Sequence, residues 1–324
     1  MAQNRDGAAR NPLSFNAAPV TVGALLEILP KANRMKTIAT INFKGGVGKT
    51  TATWALGYIA ALPKTHRVLL LDMDAQMSLT QAVALNEDGS PFKSFSDWYD
   101  MSIAKKATIF DALDEFNKPG PFNFKIDKNF IYKISERYHF IPSVQDLYWT
   151  ELDFFDREKV KHFIQRLIEK IQNSSDAPKY DFVFFDCPPS FSILSYSVLS
   201  CCDLLLIPIN PDFFAAKGLD LLISSLRLRI EPHPVPKIGV FMNKAKKPGG
   251  SSSKRFSNET QRYLDDAAEV LERVSAQYDL STRLFDTAIL DRVGMKRAIQ
   301  EGIPSESRGQ FQALGQEIFT YLSE

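Results

Sequence analysis

Cysteine is scarce. The 324-residue chain has three, Cys187, Cys201 and Cys202, with no C-x-x-C spacing, which fits a reduced, cytosolic compartment better than a disulfide framework. Long apolar runs are missing too: none approaches the length of a membrane span, and the N-terminus has no basic-then-apolar signal pattern. An excess of one charge is also lacking. Thirty-nine Lys and Arg stand against 38 Asp and Glu, a net +1, so any nucleic-acid contact must come from a local patch. There is no internal repeat and no long low-complexity tract. With 44% hydrophobic and 24% charged residues, the chain can bury one large core.

What is present is organised around Lys44-Gly45-Gly46-Val47-Gly48-Lys49-Thr50-Thr51. The run follows the strand-like Thr37–Ile41 and opens an apolar-periodic segment with Ala55, Leu56, Ile59 and Ala60. Strand, glycine loop and helix are the context a phosphate-binding loop needs. Glycines let backbone N–H groups turn inward, and the helix adds its positive end. Lys49 is placed to reach β/γ-phosphates, the Thr50 hydroxyl to hold Mg²⁺, and Thr51 to support the α-phosphate. The general pattern asks for Gly at position 43, where Phe43 stands. A second lysine, Lys44, precedes the double glycine instead.

Two further apolar runs end in acids. Arg67–Asp72 leads into Asp72-Met73-Asp74-Ala75-Gln76, and Phe182–Asp186 leads into Cys187-Pro188-Pro189-Ser190. In an open α/β sheet, ligands sit at the carboxyl ends of strands, so these acids face the phosphates. Asp186 has the placement of a Mg²⁺-holding carboxylate. Asp74 reads as a catalytic group, as a cap of a helix over Gln76–Leu85, or as both. Cys187 reads as a packed small residue.

These motifs resemble the ParA/MinD family of ATPases, whose phosphate loop is the deviant Walker A form. D-x-D-x-Q at 72–76, D-C-P-P-S at 186–190 and Pro211–Leu219 carry the likeness, over roughly residues 36–310. The resemblance implies a mostly parallel twisted α/β sheet with helices on both faces. It implies ATP and Mg²⁺ as cofactors and a catalytic set of Lys44, Lys49 and Asp74, with Lys44 reaching across a dimer to the partner's nucleotide. Gly45, Gly46, Val47, Gly48, Lys49, Thr50 and Thr51 would bind nucleotide, and Asn243 would read the adenine edge. Thr50, Asp72 and Asp186 would serve the metal. The implied function is an ATP-driven dimer that binds DNA non-specifically and positions or segregates a plasmid, chromosome locus or protein organelle. A ParB-like or other adaptor would stimulate hydrolysis, in the cytoplasm and on the nucleoid.

For DNA the resemblance points to Lys254, Arg255, Arg262, Arg292, Lys296 and Arg297. Composition alone also allows a solvated charged surface there. Asp291-Arg292-Val293-Gly294 replaces the family's proline-arginine-asparagine turn. A MinD-type membrane cycle is disfavoured by a C-terminal stripe (Phe311, Leu314, Ile318, Phe319, Leu322) whose only charges are Glu317 and Glu324, so no membrane partner is expected. A metal-cluster carrier or reductase of the same fold would need a cysteine pair at a dimer face, for which Cys201-Cys202 is a poor candidate.

In domain terms, residues 1–35 read as a leader with a helix candidate at Val22–Leu29, and 36–324 as one ATPase domain with an insertion around 86–128. Within the insertion, a helix is expected at Ile109–Phe116, and Phe92, Phe95, Trp98 and Tyr99 read as a satellite core. Strands are expected at Phe130–Ile134 and Tyr138–Pro142, and one long helix at Asp153–Gln172. His139 and His162 read as structural.

Overall fold

The computed structural model describes residues 34–62, 66–83, 95–151, 156–229, 235–248, 255–292, 294–295 and 302–324. The helix expected at Val22–Leu29, and Phe92, Lys254, Lys296 and Arg297, lie outside the described residues, as do the side chains of Phe95 and Trp98.

In chain order the elements begin with Lys36–Thr40 (β1), Lys49–Ala61 (α1), Val68–Asp72 (β2), Ser78–Val83 (α2), Phe95–Lys105 (α3) and Ile109–Asn117 (α4). Tyr132–Lys133 (β3), Tyr138–Ile141 (β4), a 3-10 segment at Gln145–Glu151, Arg157–Val160 (α5) and Phe163–Asn173 (α6) follow. Then come Phe182–Asp186 (β5), Ile193–Leu199 (α7), Leu204–Ile209 (β6), Ala215–Arg229 (α8), Lys237–Met242 (β7), Asn258–Tyr278 (α9), Thr282–Leu284 (β8) and Ser305–Ser323 (α10).

The strands form one sheet in the order β3-β4-β2-β5-β1-β6-β7-β8. All pairs are parallel except β3 with β4. Every residue of β2, β5 and β6 is buried, as their unbroken apolar runs require of strands covered on both faces. Side-chain alternation sorts the core. Ile38 of β1 joins the layer of α1, α2 and α10, and Ala39 joins the layer of α4 to α9. Burial of each large side chain contributes about 1.5–3 kcal/mol. The helix α10 buries Phe311, Leu314, Ile318, Phe319 and Leu322, which makes the C-terminal stripe a closing element of the core. Because β5 and β6 flank β1, the strand order reverses there and opens a crevice at the carboxyl ends.

Several local readings change. The helix expected over Asp153–Gln172 is two pieces, with His162 (φ −100°, ψ 0°) between them. The break is tolerated because the Ser197 Oγ accepts the Ile164 N–H at 3.0 Å. The strand expected at Phe130–Ile134 contracts to Tyr132–Lys133; Phe130 is instead a fully buried contact of Phe124, centroids 4.9 Å apart. Phe116 and Phe122 continue this aromatic chain to Phe163 of α6. That part of the insertion is therefore fused to the main core. The helix α3 had no expected counterpart. The helix after Asp74 begins at Ser78, later than Gln76.

Candidate active site

The loop between β1 and α1 turns on two glycines in the left-handed region, Gly46 at φ 71° and Gly48 at φ 90°. Gly48 is the N-cap of α1 and offers no side-chain cap, so the first-turn N–H groups of a 13-residue helix face the crevice with the positive end of its dipole. A Cβ on Gly48 would stand 2.3 Å from the Asn243 Nδ2; glycine is required there by space as well as by φ.

Gly45, Gly46, Gly48, Lys49, Thr50, Thr51, Asp74 and Asn243 line one cleft of about 540 Å³. Leu290, Met295 and Phe311 add apolar surface to its lining. Lys49 is 8% exposed, and its Nζ donates to the Asn42 carbonyl at 3.1 Å. Burial lowers its pKa, opposed by the charges of Asp186 and Asp74. Lys44 is not in the cleft wall. Its Nζ lies 2.6 Å from the Asp212 Oδ2 and 5.7 Å from the centre of the Phe214 ring. Phe213 and Phe214 are 73% and 62% exposed beside it.

Asp72 and Asp186 are register partners across β2 and β5, and both are buried. Asp72 accepts from the Thr80 N–H at 2.9 Å, the Thr80 hydroxyl at 2.7 Å and the Asp74 N–H at 3.1 Å. Even so, burial pushes its carboxyl up to about 7. The Asp186 carboxyl is raised as well, by burial and then by the neighbouring Asp72 charge, against a hydrogen bond from Thr50. Its Oδ1 is buried with no hydrogen-bond partner. An orphaned carboxylate oxygen beside a threonine hydroxyl at a phosphate loop is the donor set a hard divalent cation takes, so these residues fit Mg²⁺. Asp72, its oxygens already engaged, braces the Asp74 loop from behind. Asp74 accepts the Gln76 N–H at 2.9 Å in a turn ahead of α2 and lines the cleft; because that helix begins at Ser78, Asp74 is not its cap, and its place in the cleft is compatible with the catalytic reading.

Asn243, expected at the adenine edge, lines the cleft. Its Nδ2 donates to the Val47 carbonyl at 2.7 Å. Lys244, which also lines the cleft, donates to the Gly46 carbonyl at 2.5 Å.

The basic residues expected to meet DNA are engaged locally where they are described. Arg292 lines the cleft and pairs with Glu306. Arg255 donates to the Asp286 carbonyl at 2.9 Å. Arg262 lies 6.0 Å from the Tyr263 ring centre on α9, a helix that also carries Glu259, Asp265, Asp266, Glu269 and Glu272. The thiols of Cys187 and Cys202 are buried, and burial raises all three cysteine pKa values, Cys201 to about 12. Among the described residues no three His, Cys, Asp or Glu side chains converge as a metal site. No described helix is long and apolar enough to cross a membrane.

Residues 35–233 match the family described as AAA domain. The chromosome-partitioning ATPase Soj of Treponema pallidum is 25% identical over 275 residues, 84% of this chain and 89% of that protein. A ParA family protein of Chlamydia pneumoniae is 32% identical over 217 residues, 64% of this chain and 72% of that protein. Among solved structures, a putative plasmid partition protein from Borrelia burgdorferi B31 bound to AMPPNP shares the fold, with a TM-score of 0.60 and 21% identity over 88% of this chain and 99% of that one.

Proposed function

The chain belongs to the ParA family of P-loop ATPases, and from that premise we propose an ATP-gated dimer that binds DNA without sequence preference and positions or segregates a cargo. The observation that carries the dimer is Lys44. A lysine of the phosphate loop that stands outside its own cleft, beside two exposed phenylalanines, has no phosphate to serve within its own chain. Placed against a second copy, its charge offsets the repulsion of two triphosphates brought together.

In this reading Lys49 and the loop N–H groups bind the β- and γ-phosphates. Leu290, Met295 and Phe311 cover the base. Thr50 and Asp186 would hold Mg²⁺, braced by Asp72, and the ion would supply positive charge against that building on the phosphates. Asp74 orients the attacking water and takes up its proton. DNA contact falls to Lys254, Arg255, Arg262, Lys296 and Arg297, with Arg292 at the cleft rim. Dimerisation would double these charges, and a stimulating adaptor protein would trigger hydrolysis and release. The names of relatives supply the cargo class, a chromosome or plasmid.

Light scattering with ATP and with ADP, paired with DNA affinity at two salt concentrations, tests the proposal. The expected result is a dimer with ATP only, and DNA binding that follows it. Affinity should fall with salt at a log-log slope of about 0.9 per phosphate neutralised. A monomer in both nucleotide states overturns the dimer. Equal DNA affinity in both states, or none at low salt, overturns DNA as the track.

A further inference from the structure

A phosphate loop works by aiming N–H groups inward. In a trans peptide the C=O points opposite to the N–H that follows it, so an inward N–H leaves an outward carbonyl that needs a donor of its own. Two such carbonyls here are met by consecutive residues at the end of β7. Gly46 C=O accepts from the Lys244 Nζ at 2.5 Å, and Val47 C=O from the Asn243 Nδ2 at 2.7 Å. The N–H groups of the same peptides, those of Val47 and Gly48, are thereby aimed the other way.

The donors are themselves fixed. Asn243 N–H bonds to the Ile209 carbonyl at 2.7 Å, and Ala245 N–H to the Ile289 carbonyl at 2.9 Å. Lys244 between them sits at φ 55°, a conformation that a lysine adopts only when its surroundings enforce it. The Asn243 amide also fills the space a Cβ on Gly48 would take. At its start the loop is pinned by the Asn42 Oδ1, which accepts the Lys44 N–H at 2.9 Å.

We propose that Asn243 and Lys244 are positioning residues that preset the phosphate loop, so that affinity for the polyphosphate tail is governed from the end of β7. This rests on nucleotide binding in the cleft and on no part of the dimer or DNA reading. Loss of this strap forces nucleotide to order the loop on binding, which weakens ground state and transition state alike.

Asn243→Ala and Lys244→Met should each raise the Kd for ATP and for ADP about tenfold, the worth of a hydrogen bond to a buried or charged group. KM should rise in step while kcat stays within about twofold. Lys244→Arg, which keeps the donor, should restore most of the affinity. Competition titration of ATP, ADP and GTP against a fluorescent ADP analogue reads these out on the full chain, with melting curves confirming folding. The ratio of ATP to GTP affinity should not change in either variant. Two results overturn the strap: unchanged Kd in both folded variants, or an Asn243→Ala protein that loses the ATP-over-GTP preference, which would make Asn243 a base reader. Wild-type protein that bound no ATP would overturn the nucleotide reading along with it. Wild-type binding matched by both variants would overturn the strap alone.

Discussion

The nucleotide cleft and the face around Lys44 begin one residue apart, and they are built to different standards of completeness. In the cleft, Lys49 is buried on a carbonyl, the Gly46 and Val47 carbonyls have donors, and Asp72 has three. What is left over among the described residues includes a buried oxygen of Asp186 and the buried Nε of Arg292, and the uncapped start of α1; the Asp186 oxygen and the helix start are suited to a bound ion or phosphate. On the outer face, a half-exposed lysine is matched by one half-exposed aspartate, and two large rings stand in solvent. Buried polar groups left unmatched cost about 1–3 kcal/mol each, so the cleft must be finished within one chain. The outer face carries no such penalty and can wait for a partner.

The comparison breaks most severely at Asp74. Asp74→Ala should cut kcat about a hundredfold or more, the usual contribution of a positioned general base, and leave ATP affinity unchanged. Single-turnover hydrolysis alongside nucleotide titration checks it; full activity would move the role elsewhere. Next is the contrast of the two lysines. Lys49→Ala should weaken ATP binding about a hundredfold, because several charge-assisted bonds of about 1.5–3 kcal/mol each are lost. Lys44→Ala should leave that affinity within about threefold and abolish the ATP dimer. Equal effects of both variants on monomer binding would erase the distinction between cleft and face. Smaller still, Phe213→Ser with Phe214→Ser should weaken the ATP dimer about tenfold or more, since each ring buries apolar surface only in the dimer. Rings that are 73% and 62% exposed contribute little to the monomer, so its melting temperature should hold.

Much of the cleft was legible because its signals are local. Glycines at 46 and 48, a lysine and two threonines at the helix start, and acids at the ends of all-apolar strands follow from backbone rules. The same rules place the strands in one sheet with helices on both faces. What escaped lies in contacts made across the chain. Lys244 meets Gly46 at a separation of 198 residues, and nothing beside Lys244 distinguishes it from Lys246 or Lys247. Asn243 and Arg292 carry expected roles at a base and at DNA by likeness; their intrachain contacts with Val47 and Glu306, which that likeness does not foretell, are visible only in the fold. The split at His162 was hidden because Val160, Phe163, Ile164 and Leu167 keep helical spacing across it. The helix α3 was hidden because aromatic and charged residues alternate without a clear stripe.

The finest test of the outer face is its ion pair. Asp212 Oδ2 holds Lys44 Nζ at 2.6 Å, and Asp212 Oδ1 accepts the Phe214 N–H at 3.1 Å, so one side chain restrains both the lysine and the ring beside it. If Lys44 serves a partner's nucleotide, it must first leave Asp212. An exposed pair of this kind is worth about 0.2–1 kcal/mol, and a dimer releases two. Asp212→Asn keeps an acceptor for Phe214 but removes the charge, and should tighten the ATP dimer about threefold to fivefold at low salt. The gain should vanish near 0.5 M salt, where exposed charges about 3–5 Å apart are already screened. Sedimentation of the Asp74→Ala background with and without Asp212→Asn measures it. A dimer no tighter, or one weakened as much as by Lys44→Ala, would show that Asp212 belongs to the dimer contact itself and does not hold the lysine back.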